Sequence, residues 1–263
     1  MLTALAILAC LAPVAGIAEL ARQETSQSPS VFVMFSTGLG QAGLDRLNDS
    51  DPDPNSIYTR VLLRHLADPG RNLVELATDV QAEVGALAAE VGYQQTSAYY
   101  AEGSAGAFVL TPTASEAPKG KRLAFVVGMG DYPNLRQQSR PLSAHEDAAA
   151  MTAKLQSMGF SVVSATDLGR AEFNEKLEAF LQGLAPGDVA AFYFSGLGLQ
   201  IDGNNYLLPA DISTANLEDG GAKLARQAIQ LSSLVDAMTK RQAGLTLIIL
   251  DAARDNPFAA PAR

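Results

Sequence analysis

The chain has 263 residues, 48% of them apolar and 18% charged, with a formal net charge of −9. That balance excludes an intrinsically disordered chain and suits a globular protein of one large or two small domains. Acidity without a basic stripe argues against nucleic acid as a partner.

The first apolar run, Leu2 to Ala18, is broken only by Thr3, Pro13 and Gly16. It is short for a membrane span, which takes about 20 apolar residues. It suits the hydrophobic region of a signal peptide, with small residues at Gly16-Ile17-Ala18 ahead of cleavage before Glu19. No Lys or Arg precedes it, so a membrane-associated uncleaved anchor and a mis-assigned start stand beside export as alternatives. Ile7-Leu8-Ala9-Cys10 loosely matches a lipoprotein box, but it comes early and the apolar run continues past it. On the export reading residues 1–18 are removed and the protein is periplasmic or secreted. Cys10 is the only cysteine. The mature chain then has no disulfide, no thiolate metal site and no thiol nucleophile.

Residues 19–30 are polar and read as a flexible lead-in. The β-branched run 31–35 predicts a buried strand, closed by Ser36-Thr37-Gly38-Leu39-Gly40. Residues 48–56, rich in Asp, Asn and Pro, predict a surface loop. Apolar residues at helical spacing predict helices over 57–66 and 73–91, separated by Pro69-Gly70. Residues 107–110 predict a second short strand, and Thr111 to Gly120 has the composition of a linker. Beyond it, strands over 123–127, 160–164, 188–194 and 245–250 alternate with helices over 142–158, 170–184 and 231–241. That alternation predicts parallel βαβ units in an open sheet with helices on both faces. Sites in such sheets form beyond the carboxyl ends of the strands. The segments 128–132, 195–198 and 251–258 therefore carry most interest.

Several of these runs, taken together, resemble one family. Leu123-Ala124-Phe125-Val126-Val127-Gly128 with Tyr132, Asp147-Ala148 and Gly159-Phe160 are the first of them. The strand ending Phe194-Ser195-Gly196, the run Asp202-Gly203-Asn204-Asn205-Tyr206-Leu207-Leu208-Pro209, and Leu250-Asp251-Ala252 with Arg254-Asp255-Asn256-Pro257-Phe258 follow. Residues 121–258 thus resemble the large-subunit half of caspase-like proteins of the orthocaspase and metacaspase type. Residues 31–110 resemble the small-subunit half, through Phe35-Ser36-Thr37-Gly38, Tyr58-Thr59, Leu62-Leu63, His65 and Gly106-Ala107-Phe108-Val109. The resemblance implies a caspase-like three-layer α/β/α sandwich around a six-stranded, mostly parallel sheet with an antiparallel edge strand. The halves run in reversed order, as in a circular permutation or the type III metacaspases. Linker 111–120 would join them within one domain, leaving 259–263 as a tail. Ten residues reach about 33 Å when extended, enough to cross four strand spacings of about 4.8 Å.

In active members, the resemblance implies, a His follows the third strand of the large half and a Cys follows Asp-Ala after the fourth. The His generates or holds the thiolate that attacks the scissile carbonyl. Here those positions carry Leu197 and Ala253. Leucine has no proton to move and alanine has no nucleophile. The only histidines, His65 and His145, lie in predicted helices and read as solvated or packed, and Ser195 lacks a nucleophile-elbow context. Gly128 and Gly130 lack the third glycine and the Lys of phosphate loops and read as a tight turn. Ser195, Gly196, Asp202 and Asp251 remain candidate binding residues. Asp202, Asp211 and Asp251 could line a basic side-chain pocket, or simply cap loops. No cofactor or metal site is expected.

The expected function is that of a catalytically inactive caspase-like domain in the cell envelope, binding a protein or peptide whose identity the sequence leaves unknown. The alternatives are an inactive form of a cysteine endopeptidase, relic or engineered, and a structural domain without a ligand. Leucine for His is an unusual choice in a designed knockout, which favours natural loss.

Overall fold

The computed structural model describes residues 29–38, 40–112, 120–135, 141–213 and 222–252. In chain order it begins β1 (Val31–Phe35), α1 (Ile57–His65), α2 (Leu73–Glu90) and β2 (Ala98–Glu102). The βαβ units follow as β3 (Arg122–Gly128), α3 (Ala144–Ser157), β4 (Ser161–Thr166), α4 (Arg170–Gly183) and β5 (Val189–Gly196). Then come β6 (Gly198–Ile201), β7 (Asn204–Leu207), α5 (Ala222–Gln227), β8 (Ile229–Gln230), α6 (Leu231–Thr239) and β9 (Leu245–Ala252).

The main sheet has six strands in the order β2-β1-β9-β5-β3-β4. Four neighbouring pairs are parallel, and only β2, on the outer edge, runs antiparallel to β1. The expected α/β sandwich with a six-stranded, mostly parallel sheet is therefore present. Because side chains alternate along a strand, each inner strand feeds two cores. Phe32 and Met34, Val126, Tyr193 and Ile249 point to the face covered by α1, α2 and α3. Val33, Phe125, Phe192, Phe194 and Ile248 point to the face covered by α4 and α6. On that second face Phe125 packs against Phe173, Phe180 and Phe192 at ring-centroid distances of 5.7, 5.9 and 5.8 Å. Strands buried on both faces explain the continuous apolar runs at 189–194 and 245–250.

Local signals set the helix starts. The Ser56 hydroxyl accepts from the Thr59 backbone N–H at 2.9 Å and caps α1. Asn72 and Glu75 form a reciprocal capping box that opens α2. Gly70 takes a φ of +75° in the turn between these two helices, where a side chain would be strained.

Two expectations need correction. The edge strand is Ala98–Glu102, not 107–110. Residues Ala105–Ala107 form a 3-10 turn, and Val109 makes only an isolated bridge to Asn72. Leu110 is instead buried beneath α2, which accounts for the apolar character of that run. The second correction is an element unforeseen: β6, β7 and β8 form a separate three-stranded sheet between β5 and α6. Residues 1–28, most of the 111–120 linker and positions 253–263 lie outside the described residues.

Candidate functional site

Strands β5 and β9 end side by side, with Ser195 opposite Asp251 and Gly196 opposite Ala252. Ser195 shares the parity of Tyr193, and Asp251 that of Ile249, so both side chains point to the face of α1 and α3. There they meet Asp147, in the first turn of α3 and fully buried. Asp147 Oδ1 accepts from Asn55 Nδ2 at 3.1 Å and from the Ser56 backbone N–H at 2.9 Å. Its Oδ2 accepts from Ser143 Oγ at 2.9 Å and from Ser195 Oγ at 3.0 Å.

Asp251 Oδ2 accepts from Ser56 Oγ, and from Thr59 Oγ1 at 2.7 Å. Thr59 Oγ1 also lies 2.6 Å from Tyr193 Oη. The threonine proton is committed to Asp251, so Tyr193 donates to Thr59. The result is a hydrogen-bonded array on the inner face of the sheet. Its acids come from α3 and β9, and most of its donors come from the start of α1.

Burial, and then the charge of Asp251, pushes the Asp147 carboxyl up to about 7. Burial also raises Asp251, against the opposing pull of the Ser56 and Thr59 hydroxyls. Two interacting carboxyls in a poorly solvated site titrate as a pair, above the ordinary carboxylate range. Burial raises Tyr193 as well, so its phenol stays neutral and acts as a donor. Among the described residues the buried Tyr58 hydroxyl on this face has no hydrogen-bond partner.

The turn after β5 faces the other way. A Cβ on Gly196 would come within 2.8 Å of Met129 Cβ and 2.9 Å of Tyr132 Oη, so only glycine allows this approach. The Leu197 N–H donates to Tyr132 Oη at 2.9 Å, and Tyr132 in turn donates to the Leu208 carbonyl at 3.3 Å. Leu197 itself is half-buried against the core of the α4–α6 face. It presents an apolar side chain with no transferable proton.

Of the expected binding residues, the fold brings Ser195, Gly196 and Asp251 together. It does not bring Asp202 to them. Asp202 and Gly203, at φ of +49° and +79°, make the tight turn of the β6–β7 hairpin. Asp211 caps α4, its Oδ1 accepting from the Arg170 backbone N–H at 3.0 Å. His65 lies between Glu83, at 2.6 Å, and Asp68, at 3.3 Å, on the surface of α1 and α2. His145 is not merely solvated. Its Nε2 sits 2.8 Å from Asp167, which follows β4 at the carboxyl end of the sheet. Asp167 also accepts from the backbone N–H groups of Gly130 and Asp131, and a Cβ on Gly130 would run into the His145 ring. The reading of Gly130 as a tight-turn residue thus gains a steric reason.

Sequence reasoning missed Asp147 as a site residue, and with it Asn55, Ser56, Thr59 and Tyr193. Asp147 was visible only as part of an Asp-Ala match, and Asn55-Ser56 read as the end of a surface loop. Both are buried.

Residues 121–262 match the caspase domain family, and this is more than half of the chain. The chain belongs to the caspase-domain family. A further similarity is to the human mucosa-associated lymphoid tissue lymphoma translocation protein 1, 24% identical over 133 residues. The match covers 51% of this chain and only 15% of that protein's length. A crystal structure of protein GSU0716 from Geobacter sulfurreducens aligns at a TM-score of 0.38 and 18% identity. It covers 51% of this chain and 50% of the other, a likeness too distant to carry an argument. The caspase-domain match spans β3 to β9 and therefore includes Asp147, Ser195, Leu197 and Asp251. The segment with β1, α1, α2 and β2 lies before it and supplies the donors for the two buried acids.

Proposed function

We propose that this chain is a caspase-domain protein without peptidase activity, a pseudoenzyme that binds a protein or peptide segment at the carboxyl end of its main sheet. The observation that carries this reading is the chemistry at the ends of β5 and β9. Leu197 stands where the family resemblance places the general-base His, and Ala253 where it places the Cys. Ser195 turns its hydroxyl inward, donating its proton to the buried Asp147 on the α1–α3 face of the sheet. Leu197, half-buried at the end of β5, gives that strand end an apolar character suited to a hydrophobic segment.

The reversed order of halves fits a circularly permuted domain of the type III metacaspase kind. Supporting this, β1 pairs in parallel with β9, and β2 closes the edge antiparallel to β1. Those are the places the fifth and sixth strands of an unpermuted domain would take. The N-terminal apolar run supports export to the periplasm or beyond, where such a module would act on envelope partners.

The test uses the purified full chain and the double variant Leu197→His with Ala253→Cys. The chain as it stands cleaves no reporter peptide ending in Arg, Lys or Asp, and retains a partner from its own envelope fraction. Cleavage by the unaltered chain, abolished by a thiol-independent serine reagent, overturns the reading. Cleavage gained by the double variant alone favours a recent relic of an endopeptidase, its frame still intact.

A further inference from the structure

On the face of the main sheet covered by α4 and α6, a groove of about 250 Å³ opens between β1, β2, the start of α6 and the tip of the β6–β7 hairpin. Strand register builds its inner wall. Val31 stands opposite Glu102 and Val33 opposite Tyr100 across the antiparallel pair, so these four side chains share one face. Val31, Val33 and Leu231 are buried and give the groove an apolar floor fixed by the core. Tyr100 beside them is 54% exposed, a large aromatic face open to solvent. Asp236 of α6 and Asn204 of the hairpin stand on the facing walls.

The groove carries charge of one sign only. Its described lining residues include two carboxylates, Glu102 and Asp236, and no cation. Tyr100 Oη donates to Glu102 at 3.1 Å, a bond that orients the carboxylate without neutralising it. No Lys, Arg or His among the described residues pairs with either acid. An arginine side chain is matched by each part of this surface. Its aliphatic stem packs on apolar residues, its plane stacks on an aromatic ring, and its fork takes carboxylate oxygens in parallel hydrogen bonds.

We infer that this groove binds a segment of a partner protein that carries an arginine next to an apolar residue. The guanidinium lies against Tyr100 and between Glu102 and Asp236, and the apolar neighbour rests on the floor of Val31, Val33 and Leu231. Arginine fits better than lysine, because an ammonium would use the charge of the walls but not the plane of the ring. A peptide fits better than a free cation, which would leave the apolar floor uncovered. None of the residues at the ends of β5 and β9 lines this groove, so the inference stands apart from the site proposed there.

The experiment titrates the full chain into a short fluorescein-labelled peptide centred on Val-Arg, followed by anisotropy. Peptides centred on Val-Lys and Ser-Arg run alongside, with free argininamide as competitor and sedimentation to follow self-association. The Val-Arg peptide saturates and binds more tightly than either comparator. Glu102→Gln and Asp236→Asn each weaken it roughly tenfold. Tyr100→Leu removes the preference for arginine over lysine. All three residues are exposed, so the variants keep the fold, checked by circular dichroism. The inference is overturned by an absence of saturable binding, or by binding that neither acid substitution changes, which would put the peptide elsewhere on the chain. It is equally overturned if argininamide competes as well as the peptide does, or if the groove is filled by a second copy of the chain, seen as a dimer that excludes the peptide.

Discussion

Asp147 and Asp251 are joined through Ser56: its backbone N–H donates to Asp147 and its hydroxyl to Asp251. The residue that caps α1 therefore also anchors that helix on two buried acids of the caspase domain. The cap, the helix start and the ends of β5 and β9 form one cooperative unit.

This unit makes stability depend on pH. The Asp147 carboxyl is raised to about 7 in the folded chain, from an ordinary value of 3.8. Between those values the folded state holds a proton that the unfolded state has released. Stability from this group is complete below the ordinary value and is lost as pH rises through about 7. Asp251, also raised, acts in the same direction. Thermal unfolding followed from mildly acidic to mildly alkaline pH gives a Tm that falls across this window. Asp147→Asn flattens that slope, since an amide accepts from Ser56 and donates to the hydroxyls of Ser143 and Ser195. An unchanged slope in the variant removes Asp147 as its source.

Ser56→Ala costs roughly 2–3 kcal/mol, combining a lost N-cap with a buried acid short of a donor. Denaturant unfolding measures this, with Ser233→Ala on the exposed face of α6 as the near-neutral reference.

Gly196→Ala costs about 1–3 kcal/mol through overpacking, because the new methyl would meet Met129, Phe194 and Tyr132. The hydrogen bond from Leu197 to Tyr132 loosens with it. Amide hydrogen exchange at Leu197 speeds up by more than the change in global stability accounts for.

Arg60→Ala removes the bidentate partner of Asp51, at 2.8 and 3.1 Å, along with a bond to the Asn55 carbonyl at 2.8 Å. The pair is nearly buried, with side-chain exposures of 9% and 5%. Leaving Asp51 without it costs roughly 1–3 kcal/mol, the range for a polar group that loses its hydrogen-bond partner. Arg60 holds the Asp51 carboxyl down to about 2. Carboxyl NMR of the variant places Asp51 back toward its ordinary range.

The inner strands of the sheet were legible because they are buried on both faces. β5 and β9 lie inside the sheet, so their sequences are unbroken apolar runs bounded by turn residues. β2 escaped notice because it is an edge strand whose Ala-Tyr-Tyr-Ala-Glu sequence is mostly exposed and carries no apolar alternation. The β6, β7 and β8 strands have four, four and two residues, too few to show a period. Ser195 and Asp251 could be picked out because sheet ends are where such folds place their sites. Asp147 could not, because nothing near it in sequence reveals that Asn55 and Ser56 return to cover it.

The donors and acceptors of this array are far apart along the chain, with separations of 91 residues for Ser56 to Asp147 and 195 for Ser56 to Asp251. Closing loops of that length is the entropic cost of bringing each acid to its partner. Asn55, Ser56 and Thr59 thus act as a clasp that fastens the first helix to elements that come far later in the chain.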